Sequence, residues 1–65
     1  MSKPLIGINT DYRSANQNST EFAYVAAGYF DAITQAGGLP VLIPPYDNES
    51  DLEHLLQRLD GVLLI

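Results

Sequence analysis

The sequence predicts an α/β fold of β-α-β-α-β order, with parallel strands and helices on both faces, and three features point to it. The stretch Tyr29 to Pro45, YFDAITQAGGLPVLIPP, reads as the second half of a helix, a Gly-Gly stop and a short apolar strand shut off by two prolines. A helix running straight into an apolar strand implies a strand before it and another crossover after it. Leu5, Ile6 and Ile8 put apolar side chains on both faces of a pleat, and Val62-Leu63-Leu64-Ile65 is apolar throughout, as strands covered on two sides require. Between these strands lie two segments whose apolar residues recur at the helical period.

In chain order, Pro4 to Thr10 forms the first strand. Gly7 interrupts it, either to admit another backbone such as a crossing helix or simply as a tolerated small residue. Asp11 to Glu21 (DYRSANQNSTE) is polar and aperiodic and reads as a loop. Its end offers helix caps: Asn18 with Glu21 resembles a capping box, and Ser19 or Thr20 is an alternative. A helix is predicted from Phe22 to Ala36, with Phe22, Val25, Ala26, Tyr29, Phe30, Ile33 and Ala36 on one stripe. Tyr29 is expected in the core with its hydroxyl at an edge. Gly37 follows the last apolar helical position, where a left-handed residue is wanted.

Leu39 to Ile43 forms the second strand, and Pro40 suits its first residue or a sheet edge. After Pro44-Pro45 comes a loop, Tyr46 to Glu49. Ser50 with Glu53 makes a capping box for a second helix carrying Leu52, Leu55, Leu56 and Leu59 on one face. Early acids and the late Arg58 suit its dipole, and His54 falls on its solvated face. Gly61 is expected to end that helix, and Val62 to Ile65 begins a third strand. Crossovers in such a unit are right-handed. The whole reads as the start of a flavodoxin-like parallel sheet, truncated after the third strand.

Composition narrows the function. At 65 residues the chain is one domain at most, and a chain of that size buries only about 60% of its unfolded surface. It has no Cys to form disulfides and a single His, too few for a metal site, so residues 1–65 read as the N-terminal part of a larger domain. A net charge of −5, from eight acids against Lys3, Arg13 and Arg58, argues against nucleic-acid binding. No apolar run approaches the length of a signal peptide core or a membrane span, so a cytoplasmic protein without a membrane partner is expected. No Walker loop or G-x-G-x-x-G follows the first strand, and no cofactor is expected.

In open parallel sheets ligands bind beyond the carboxyl ends of the strands. Asp11, Tyr12 and Arg13, just past the first strand, are therefore the candidate substrate-binding residues. Arg13 is the cation of that rim and suits a carboxylate held by two hydrogen bonds. An ordinary solvated loop is the alternative. Asp60 reads as a turn or helix-end residue. With no thiol and no G-x-S-x-G elbow, no catalytic residue is assigned, and the chain alone is expected to be inactive.

The motifs PLIGI (Pro4 to Ile8), Y-x-D-A-I-x-x-A-G-G-L-P-V-L-I-P (Tyr29 to Pro44) and L-D-G-V-L-L (Leu59 to Leu64) resemble, in order and spacing, the N-terminal part of the gamma-glutamyl-gamma-aminobutyrate hydrolase family. That family belongs to the class I glutamine amidotransferase-like superfamily. The resemblance implies a cysteine-dependent hydrolase of gamma-glutamyl amide bonds whose substrate is a small molecule. It also implies that the nucleophilic Cys, its His and acidic partner, and a Gly-rich turn of the oxyanion hole come after these residues. Two other readings compete. One is a small-molecule binding module of the periplasmic-binding or repressor-effector type, which shares the Asp60-Gly61 strand start. The other is a stand-alone structural protein that forms a homo-oligomer or associates through its exposed sheet edge.

Overall fold

The computed structural model describes residues 2–17 and 20–65. In chain order its elements are β1 (Leu5–Asn9), β2 (Asp11–Arg13), β3 (Phe22–Tyr24), α1 (Ala27–Gln35), β4 (Leu39–Ile43), α2 (Glu49–Leu56) and β5 (Gly61–Leu63). Strands β4, β1 and β5 form a three-stranded sheet in that order, both pairings parallel. β1 is central: Leu5 to Asn9 lie opposite Leu39 to Ile43, and Ile6 to Ile8 lie opposite Gly61 to Leu63. The first crossover steps to one side of β1 and the second steps back across it. Crossovers of one hand then put their helices on opposite faces.

The side chains follow this layout. Ile6 meets Ile33 of α1 over Gly38, on one face of β1. Gly7, on the other face, is covered by Leu59, just beyond α2, and by Ile43. A Cβ at Gly7 would stand 2.5 Å from Leu59 Cδ1 and 2.7 Å from Ile43 Cδ1. The glycine is therefore crowded by close approach, and what approaches is the flexible ends of two side chains rather than a helix backbone. Ile8, Ile33 and Ile43 are the buried apolar residues among those described, and Ile8 is wholly enclosed.

Helix ends obey local chemistry. Past α1, Gly37 takes φ 95°, with its N–H bonded to Thr34 O and that of Gly38 to Ile33 O. This is the Schellman arrangement that the Gly-Gly pair predicts. α2 starts earlier than the Ser50 capping box implies. Asn48 is its N-cap, its Oδ1 accepting the Ser50 N–H at 2.8 Å. Asn is as good a cap as Ser, and this start adds Glu49 to the acidic first turn. The helix ends at Leu56, so Arg58 lies beyond it and Gly61 opens β5 instead of terminating the helix.

Pro40 lies on an edge strand, as its chemistry requires. The Leu39 N–H donates to Pro4 O, so β4 alternates from there and position 40 faces away from β1, where a missing N–H costs no ladder bond. At the opposite edge Asp60 fastens the start of β5. Its carboxylate accepts the Leu5 N–H at 2.7 Å and its own N–H donates to Leu5 O at 2.8 Å. Asp60 is thus a structural residue at the amino end of the sheet.

The largest departure from the sequence reading lies between β1 and α1. Residues 11–13 and 22–24, expected as loop and helix, form an antiparallel hairpin with Asp11 opposite Tyr24, Tyr12 opposite Ala23 and Arg13 opposite Phe22. Phe22 and Tyr24 suit strands, and pairing supplies the backbone bonds that an uncapped helix start would leave open. α1 therefore begins at Ala27 with no side-chain cap. Of the proposed caps, Asn18 and Ser19 lie outside the described residues, and Thr20 and Glu21 precede β3 and cap no helix. Tyr29, expected in the core, is 43% exposed in the first turn of α1.

Candidate functional site

The three parallel strands end on one side of the sheet, and a cavity of about 480 Å³ opens there. Its walls come from the strand ends (Asn9, Ile43, Val62), the Pro44-Pro45-Tyr46 exit of β4, and Leu52 and Leu56 of α2. The position follows from topology. β1 is central, and its neighbours leave it on opposite sides, which opens a crevice beyond its carboxyl end. The cavity is mostly apolar, with Asn9 and Thr10 as its polar side chains at the end of β1.

Those two consecutive residues tie the strand ends together. Asn9 Oδ1 accepts the Ile65 N–H at 2.8 Å, and Asn9 Nδ2 donates to Ile65 O at 3.4 Å. Thr10 Oγ1 donates to Ile43 O at 3.0 Å. One side chain thus holds the chain leaving β5 and the next holds the end of β4. Sequence reading passed over both. Two polar residues closing an apolar strand are a usable signal, yet only the pairing order shows that each has a different neighbour to grip.

The three predicted site residues sit on β2, all exposed, and the structure separates them. Tyr12 faces the β4–α2 connection, lining a hollow of about 400 Å³ with Glu21, Pro45 and Asp47. Its hydroxyl donates to Glu21 Oε2 at 2.6 Å. That hydrogen bond, then slight desolvation and the charges of Glu21 and Asp47, push the phenol above its ordinary value of 10.0. Arg13 lines a different hollow of about 370 Å³ with Phe22 and Tyr24, its guanidinium carbon 4.8 Å from the Phe22 ring centroid. Adjacent strand residues point to opposite faces, so Tyr12 and Arg13 do not converge. Asp11 lies opposite Tyr24 at the base of the hairpin.

A β-α-β-α-β sheet with its crevice at the carboxyl end of the central strand is shared by hydrolases and binding proteins, so geometry alone defines a class of α/β ligand-binding domain. Comparison with known proteins narrows it. The peptidase C26 family model matches residues 4–65, and the chain belongs to that family. It is also 35% identical over 66 aligned positions to a glutamine amidotransferase-like protein of Rickettsia prowazekii (strain Madrid E), an alignment covering 95% of this chain. The chain spans 23% of the length of that relative. Family membership groups this unit with peptidase C26 and not with the effector-binding modules whose third strand also opens Asp-Gly. Among the described residues, no helix is long and apolar enough to cross a membrane.

Proposed function

We propose that this chain is the N-terminal part of one class I glutamine amidotransferase-like domain, and that the full-length polypeptide hydrolyses gamma-glutamyl amide bonds of a small-molecule substrate. The match to peptidase C26 across residues 4–65 carries this reading. The motifs PLIGI, AGGLPVLIP and LDGVLL favour the gamma-glutamyl-gamma-aminobutyrate hydrolase group within that family. In the proposed reaction a cysteine thiolate contributed by the rest of the polypeptide attacks the amide carbonyl. A histidine delivers a proton to the departing amine, and water then hydrolyses the glutamyl thioester.

The 65 residues supply scaffold and rim. Asp11, Tyr12 and Arg13 are the proposed substrate contacts. The Phe22 ring beside the Arg13 guanidinium restricts that side chain, which favours a defined pose toward a substrate carboxylate. The exposed β5 edge, with Val62 and Leu64 uncovered, is the proposed face for association with further polypeptide or a second copy. A cytoplasmic setting without nucleic-acid or membrane partners completes the proposal.

The test uses the full-length polypeptide purified from a host lacking its own gamma-glutamyl hydrolase, assayed on gamma-glutamyl-gamma-aminobutyrate and related amides. Release of glutamate that iodoacetamide abolishes is the expected result. No turnover on any gamma-glutamyl amide overturns the reading. The 65-residue chain alone is expected to be inert, since it contains no cysteine.

A further inference from the structure

We propose that Asn9 is a positioning residue that sets the course of the backbone leaving β5 where it borders the cavity. Its consequence for catalysis rests on the amide-hydrolase reading above. The pairing of β1 with β5 ends at Ile8 opposite Leu63. Beyond that pair the β1–β5 ladder no longer dictates the direction of the backbone. Asn9 takes over there. Its carboxamide offers one acceptor and one donor, the same pair a backbone peptide presents. It uses the acceptor on the Ile65 N–H at 2.8 Å and the donor on Ile65 O at 3.4 Å.

The central position of β1 makes this possible. A side chain at its carboxyl end reaches either flanking strand, and Asn9 shares a face with Gly7, the face on which α2 and the cavity lie. Thr10 makes the matching grip on Ile43 O at 3.0 Å, so the exit of β4 is held by its own anchor. Val62 and Leu64, before and after the point of departure, line the cavity with Asn9. Any shift of the β5 exit therefore reshapes that wall of the cavity. A displacement of about 1 Å at a reacting centre costs roughly 100-fold in rate.

The residue type is specific. Asp in place of Asn keeps an acceptor for the Ile65 N–H but turns a second oxygen toward Ile65 O. Ala loses both bonds. The experiment is made on the full-length polypeptide with Asn9→Ala and Asn9→Asp, combining amide hydrogen exchange with steady-state kinetics. For Asn9→Ala, exchange at the Ile65 amide is expected to speed up by about tenfold, while Ile8 keeps its protection. The value of kcat should fall roughly 100-fold with KM within about twofold, as loss of transition-state geometry demands. Asn9→Asp should preserve Ile65 protection and recover part of kcat.

A wild-type enzyme that hydrolyses gamma-glutamyl amides, with an Asn9→Ala variant of unchanged kcat, overturns the positioning role. If the wild type hydrolyses none, the functional reading has failed instead. Exchange at Ile65 then decides the geometry alone: protection unaltered by Asn9→Ala refutes the anchor. Should Asn9→Ala fail to fold, Asn9→Asp still separates the outcomes, since a role for the donor predicts lower kcat at intact Ile65 protection.

Discussion

The parallel sheet and the hairpin that interrupts it are separated in the chain only by Thr10, yet they are held together by different forces. In β4-β1-β5 each strand is registered by a backbone ladder, and β1 and β4 are pinned by burial: Ile8 is fully enclosed, Ile43 and Ile33 of α1 are nearly so, and Gly7 is crowded by Leu59 and Ile43. In β2-β3 every residue is exposed, and beyond the backbone ladder cohesion comes from surface pairs, Tyr12 with Glu21 and Arg13 with Phe22. Contacts of the second kind contribute a few tenths to about 1 kcal/mol each, against several for an enclosed aliphatic side chain. The sheet therefore fixes the fold, and the hairpin is the part whose sequence can change without disturbing it. The proposed substrate contacts on β2 are therefore adjustable while the cavity floor is not.

The strongest way to break this contrast is at Ile8. Ile8→Ala removes the side chain that is wholly enclosed among the described residues and is expected to destabilise the protein by about 2–5 kcal/mol. Urea unfolding followed by circular dichroism measures it. A loss under about 1 kcal/mol would mean the sheet is not organised around that residue. Gly7→Ala comes next. Its new methyl group meets Leu59 Cδ1 and Ile43 Cδ1, the mobile ends of two side chains, so both rotate and the backbone stays. The expected cost is about 1–3 kcal/mol by overpacking. Pairing Gly7→Ala with Leu59→Ala sharpens the test, because the shorter residue makes room and the two effects should not add.

The same contrast explains what the sequence revealed. Strand β4, the Gly37 stop and the parallel order were legible because each rests on local or period-based physics: an apolar run, a left-handed glycine, a helix between strands. The hairpin was not. Phe22, Val25 and Tyr29 fall at helical spacing, and Phe22-Ala23-Tyr24 reads equally well as a strand, so periodicity alone favoured extending the helix. What decided the matter was a partner, Asp11-Tyr12-Arg13, whose pairing no local signal announces. The missed anchors, Asn9 and Thr10, share that cause. Their residue types were visible, but their roles depend on β1 being flanked by β4 and β5, which is a property of topology.

The smallest expected effect lies in the hairpin and is read by titration instead of unfolding. The Tyr12 phenol is pushed above 10.0, first by its hydrogen bond to Glu21, then by slight desolvation and the nearby charges of Glu21 and Asp47. All of these favour the neutral phenol. A folded-state value raised above the unfolded one means the folded protein holds the proton more tightly, so this contribution is complete below pH 10 and is lost as pH rises through the folded value. Tyrosinate absorbance should therefore show the Tyr12 phenol ionising above its ordinary value of 10.0. Glu21→Gln should bring that tyrosine back toward its ordinary value while leaving the urea midpoint nearly unchanged, since exposed pairs contribute little to stability. If Glu21→Gln lowers the midpoint as far as Gly7→Ala does, the hairpin is part of the folding unit and the division between a fixed sheet and an adjustable rim is wrong.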